Sequence, residues 1–178
     1  MRNGDWMSTF TGRAFWPCDP RPEEICIEDI AHHLSLICRF TGACREFYSV
    51  GQHSVLLSRI VPEKDAKWGL LHDASEAYLT DVARPVKPHL SNYQEIEDRL
   101  MRAVAKQFRL PWPMPESIHR ADDIMVCTER RDLLNPEPDW GEWCHGIPLL
   151  EDPIHPHCPE DAEFEFLSRY EELFGVNT

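Results

Sequence analysis

The 178-residue chain is short of positive charge. Its 18 Lys and Arg stand against 31 Asp and Glu, a formal net charge of −13. That balance argues against a protein that coats nucleic acid, which needs a basic face. It leaves room for a small anionic substrate if a metal ion, or a few local Arg and Lys, supplies positive charge against the global field. Long apolar runs are missing as well; none approaches the ~20 residues of a membrane span. Met1-Arg2-Asn3-Gly4-Asp5-Trp6 lacks the apolar stretch of a secretory signal. There is no C-x-x-C: Cys18, Cys26, Cys38, Cys44, Cys127, Cys144 and Cys158 are odd in number and scattered. They read as mostly reduced thiols, and a cytoplasmic location is the expectation. Repeats and low-complexity tracts are absent too.

What is present is an ordinary globular composition, 42% hydrophobic and 28% charged, long enough for one domain over 1–178 with its own core. Residues 1–26, with Pro17, Pro20 and Pro22, read as an extended arm. Ile27, Ile30, Leu34, Ile37 and Cys38 recur at helical spacing. Ser49-Val50-Gly51-Gln52 is a capping box opening a helix to Ile60. Pro62 opens the next, over 63–79. Ser91-Asn92-Tyr93-Gln94 is a second capping box, starting a helix with Tyr93, Ile96, Leu100, Val104 and Phe108 on one face. Residues 116–134 repeat the pattern, 135–159 form a Pro-rich irregular segment, and 160–174 close the chain as an amphipathic helix stopped by Gly175. Six helices and no strand alternation predict an all-α fold.

The polar residues that interrupt these apolar patterns carry the chemistry. His72-Asp73-Ala74-Ser75-Glu76 follows the apolar Trp68-Gly69-Leu70-Leu71, so it falls where a core helix should still be packing. Spacings of three and four put Asp73 and Glu76, and His72 and Glu76, side by side. Imidazole beside carboxylate suits Zn²⁺, Mn²⁺, Fe or Co. The bland alternative is a solvated helix end. His53 lies in the first turn of the preceding helix, and Asp122 interrupts the apolar pattern of Ile118, Ala121 and Met125. The plain alternatives are a satisfied core histidine for His53 and, for Asp122, an N-terminal helix charge or a salt bridge to Arg120. Together, two His and two Asp from three helices form a plausible divalent-metal cage with open positions. Cys144, His145, His155, His157 and Cys158 offer a second, weaker metal idea; their spacing fits no standard zinc motif, so loop residues are the default.

The order H…HD…D resembles the HD superfamily of metal-dependent phosphohydrolases. The likeness runs through Arg39-Phe40-Thr41-Gly42, Tyr48 to Ser54, Leu70 to Tyr78, Asp81 to Lys87 and Ala121-Asp122 with Thr128 to Leu133. It is to the small bacterial and bacteriophage branch, which includes 5′-deoxynucleotidases and deoxynucleoside triphosphate phosphohydrolases. The resemblance implies a compact helical fold and one divalent ion (Mn, Co, Zn, Fe or Mg) on His53, His72, Asp73 and Asp122. It implies Glu76 as the carboxylate acting on the attacking water, and Arg39, Phe40, Asp81 and Lys87 as substrate-binding residues. Phe40 stands where the family often has Trp, and the small Gly42 would not block a purine's exocyclic group, so adenine selectivity is not implied. The expected partner is a small nucleotide rather than a nucleic-acid polymer or membrane, and a homo-oligomer is expected because relatives form dimers or larger rings. An HD-type phosphodiesterase or alarmone hydrolase, or a non-catalytic nucleotide-binding module, are the competing expectations.

Overall fold

A computed structural model describes residues 2–137 and 140–175, with the backbone alone at 141 and 142. Residues 138 and 139 of the Pro-rich segment lie outside the described part. The fold is all-α apart from one small hairpin in the arm, where β1 (Met7–Ser8) pairs antiparallel with β2 (Ala14–Phe15). The helices are α1 (Ile27–Leu36), α2 (Val50–Ile60), α3 (Ala66–Leu71), α4 (Glu76–Leu79), α5 (Tyr93–Gln107), α6 (Glu116–Leu133) and α7 (Pro159–Phe174). Among the described residues, no helix is long and apolar enough to cross a membrane.

At the centre lies α2, which packs on α1, α3, α6 and α7. A surface helix shows one apolar stripe; α2 instead buries polar residues as well, among them Gln52, His53, Ser54 and Ser58. Its start follows from Ser49, whose hydroxyl accepts the Gln52 N–H at 3.0 Å. Only half of the expected capping box forms. The Gln52 amide turns away, donating to the His155 carbonyl at 2.7 Å and accepting the His157 N–H at 2.9 Å. It thereby pins the Pro-rich segment to the central helix.

The helix expected over 63–79 is split. A 3-10 turn (Glu63–Asp65) leads into α3, residues 72–75 form turns, and α4 resumes at Glu76. The His-Asp pair therefore lies at a helix break rather than within a helix. Two bonds of short span, Ala74 N–H to Leu71 O and Glu76 N–H to Asp73 O, tighten the chain there. The His72 ring satisfies the Gly69 carbonyl, one of the acceptors that a helix end leaves open. The second capping box is also corrected: Asn92, in the left-handed region at φ 64°, precedes α5, and no side chain caps it. Asn tolerates that conformation better than most residues. Gly175, at φ 80°, ends α7 as expected.

The reading of reduced thiols fails for one pair. Cys127 of α6 and Cys144, at the end of a 3-10 turn (Gly141–Cys144), form a disulfide with Cα atoms 5.7 Å apart. The turn, which composition alone does not reveal, carries Cys144 back to α6. The other five cysteines are free.

Two contacts set the frame around the site. Gly69 lets α3 approach α2 closely: a Cβ there would lie 2.8 Å from the Ser58 Cα. Gly69→Ala is therefore expected to overpack the crossing and lower unfolding free energy by about 1–3 kcal/mol in urea titrations. Asp29 of α1 is buried and ties down the hairpin turn, accepting from the Thr11 N–H (2.7 Å), the Thr11 hydroxyl (3.1 Å) and the Cys26 thiol (3.1 Å). Burial pushes its carboxyl up, but these bonds pull it below the usual aspartate value. It therefore stabilises the fold above about pH 4, and that contribution is lost as pH falls through its lowered pKa. Asp29→Asn should cost roughly 1.5–3 kcal/mol at neutral pH, a deficit that shrinks when unfolding is measured near pH 3.

Candidate functional site

Three elements aim at one point. His53 comes from the first turn of α2, His72 and Asp73 from the break after α3, and Asp122 from the second turn of α6. His53 Nε2 and His72 Nε2 are 3.2 Å apart, and Asp122 Oδ1 is 3.4 Å from His53 Nε2. Asp73 Oδ2 lies 3.2 Å from His72 Nε2 and 3.8 Å from His53 Nε2. Among the described residues, His53, His72 and Asp122 form a group whose ligand atoms all lie within 4.8 Å of one another.

The two far ring nitrogens decide what this cluster can hold. His72 Nδ1 faces the Gly69 carbonyl at 2.8 Å, and a carbonyl only accepts, so Nδ1 carries the proton. His53 Nδ1 faces the Glu129 carboxylate at 2.6 Å and likewise donates. In the neutral rings both Nε2 atoms then present lone pairs toward each other and toward two carboxylates. With neutral rings this is a set made wholly of acceptors, His53 fully buried and His72 nearly so, and positive charge at its focus, a proton on Nε2 or a bound cation, relieves it. The titration of His53 expresses the same demand. Burial and the Arg39 charge oppose its protonation, yet Glu129 and Asp122 outweigh them and push its pKa up to about 9. The donor set of imidazole and carboxylate suits a divalent transition metal.

Glu129 organises the floor of the site. Fully buried in α6, it accepts from His53 Nδ1, from the Tyr48 hydroxyl (2.9 Å) and from Arg39 Nη2 (3.1 Å). Burial raises its carboxyl, but Arg39 and His53 hold it below the ordinary range. Sequence reasoning assigned it no role. The signal was available: Asp122 and Glu129 are seven apart, two turns along one helix face. Arg39 is itself buried, spent on Glu129 and within 3.7 Å and 4.0 Å of Asp73 and Asp122. Arg39 is thus a buried positive charge with one hydrogen bond, Nη2 to Glu129, while its Nε has no partner. The next residues, Phe40 and Thr41, take positive φ of 53° and 50°, a strain of about 1–3 kcal/mol each. The turn sends Arg39 inward and sets Phe40 at the rim of the site.

A cavity of about 600 Å³ opens beside the cluster, of a size that suits a small-molecule ligand. Arg39, Phe40, Asp73, Glu76, Asp81, Lys87 and Asp122 all line it. Every substrate-binding residue expected from the sequence thus reaches one space. Arg84, Trp140 and Trp143, for which no role was expected, line it too. The buried Glu76 Oε2 has no hydrogen-bond partner, and burial with the charges of Asp73 and Asp81 pushes the carboxyl well up. Lys87 Nζ stands 3.8 Å from Glu76 and 3.0 Å from Glu97. Burial likewise raises Asp81. Asp122 pairs with Arg84 (3.2 Å), not with Arg120, the partner weighed as its alternative. The second metal idea is dispersed: Cys144 is in its disulfide, and His157 stands 3.5 Å from Glu165.

These features define an all-α protein with a buried histidine–carboxylate cluster opening on an aromatic-rimmed cavity. The chain belongs to the family of the uncharacterized protein YfdR of Escherichia coli K12. It is 38% identical to that protein over 169 residues, 94% of this chain and 95% of the relative. It is also 40% identical over 126 residues to the uncharacterized protein RCAP_rcc00048 of Rhodobacter capsulatus, covering 65% of this chain and 64% of that one. No protein-family model matches the chain.

Removing the Glu129 charge should be costly. Glu129→Gln leaves Arg39 buried without its closest carboxylate, and unfolding free energy should fall by about 3–5 kcal/mol, as read in guanidinium titrations. A loss below 1 kcal/mol would show that the arrangement rests on other contacts.

Proposed function

We propose that this protein is a divalent-metal-dependent phosphohydrolase acting on deoxynucleotides, of the HD type that its sequence resembles. The observation that carries the reading is the meeting of two Nδ1-fixed imidazoles with Asp73 and Asp122 beside a cavity that also holds Glu76 and Lys87.

His53, His72, Asp73 and Asp122 are the residues that would hold the ion. When bound, a divalent ion supplies Lewis acidity, polarising a phosphate ester and making water acidic near neutral pH. The remaining work falls to the chain. Hydrolysis forms a bond from phosphorus to a water oxygen and breaks the ester P–O bond, so the water loses a proton and the leaving oxygen gains one. Glu76, three residues from Asp73 and with Oε2 unpartnered, is the group placed to take the water's proton. Lys87 faces the Glu76 carboxylate and offers a point charge to it and to the phosphate. Phe40, with Trp140 at 6.1 Å between centroids, gives the rim an aromatic surface that tolerates any base.

The test is phosphate, pyrophosphate and triphosphate release from all common dNMPs, dNDPs and dNTPs with Mn²⁺ or Co²⁺, with and without chelator. Chelator-sensitive release is expected. Glu76→Gln should keep Mn²⁺ binding and slow turnover by ~10²-fold or more, and Asp73→Asn should lose both. Tight nucleotide binding without turnover would replace the reading by a nucleotide-binding module; turnover unaffected by chelator would overturn the metal assignment.

A further inference from the structure

Among the described residues, three cations line the cavity, and they differ in what already occupies them. Arg39 is buried and bound to Glu129. Lys87 is held by Glu97 at 3.0 Å and faces Glu76. Arg84, on the loop between α4 and α5, has a side chain 60% exposed. Its guanidinium meets Asp122 Oδ2 at 3.2 Å, stands 3.9 Å from Asp123 and lies 5.3 Å over the Trp143 ring. The two oxygens of Asp122 thus face different ways: Oδ1 toward His53 and Oδ2 toward Arg84. Arg84 stands one carboxylate away from the cluster.

An exposed ion pair of this kind contributes little, about 0–1 kcal/mol, so the guanidinium exchanges partners at small cost. A phosphate dianion offers it a stronger, bidentate acceptor. Any positive charge gathered at the His53–His72–Asp122 focus also competes with Arg84 for the Asp122 charge and weakens its hold on the guanidinium. The Trp143 face, lining the same cavity, braces the planar guanidinium while it does so.

We infer that Arg84 is a phosphate receptor of the cavity, exchanging Asp122 Oδ2 for the non-bridging oxygens of the substrate's phosphate. The inference rests on the phosphohydrolase reading for the identity of the ligand, and its test separates the two. Steady-state kinetics on the best deoxynucleotide, inhibition by inorganic phosphate and calorimetric binding of the matching deoxynucleoside are compared in wild type, Arg84→Gln and Arg84→Lys. Arg84→Gln should raise KM ~10- to 100-fold and weaken phosphate inhibition by a similar factor, while nucleoside affinity and Mn²⁺ affinity stay within about twofold. Arg84→Lys should recover part of the loss, since it keeps the charge but not the fork. Unchanged phosphate inhibition would overturn the inference. So would a loss of Mn²⁺ affinity with phosphate inhibition intact, which would make Arg84 a holder of Asp122. Should wild type hydrolyse no nucleotide, the functional reading fails, and calorimetry with inorganic phosphate in the presence of Mn²⁺ still decides the role of Arg84.

Discussion

The Glu129 carboxylate is the constraint on which the site depends. It is fully buried, and its three donors come from three segments: Arg39 from the turn after α1, Tyr48 from the strand-like approach to α2, and His53 from α2 itself. A buried carboxylate without partners would cost several kcal/mol, so these segments are held where they can satisfy it. The tautomer of His53 follows from the same contact, and with it the direction of the nitrogen that faces His72. The central helix is buried over most of its length, and its Gln52 ties the Pro-rich segment to it through His155 and His157.

Much of this was legible in the chain. Helical periodicity gave every long element, and the irregular polar interruptions at His53, His72-Asp73 and Asp122 marked the cluster. The failures were local. Nothing in the alternation of apolar and polar residues tells that the chain breaks at His72, because the break is made by a ring reaching back to a main-chain carbonyl. The Gln52 side chain was expected to close its own helix start, yet a tertiary partner offered it two bonds instead of one. The Cys127–Cys144 bond was hidden because its two ends are brought together by a turn in a segment without periodicity. Glu129 was missed because a glutamate among arginines on a helix reads as a solvated face; only its register with Asp122 points inward.

The cavity sets Arg39, Arg84 and Lys87 among the carboxylates of Asp73, Glu76, Asp81, Asp122 and Glu137. Inside it the charges are graded: a buried guanidinium bonded to Glu129, a half-buried ammonium shared between two glutamates, and an exposed guanidinium at the rim. The rim is aromatic where the floor is ionic, so the two ends of an amphiphilic ligand meet different surfaces.

The two imidazoles are aimed by unlike means. His53 depends on a side chain, whereas His72 depends on the main-chain oxygen of residue 69. Genetic change can delete the first support by altering one codon, but no codon at position 69 removes a carbonyl. Inherited variation in ring orientation should therefore enter this centre from the α6 side, leaving the α3 side as its invariant reference.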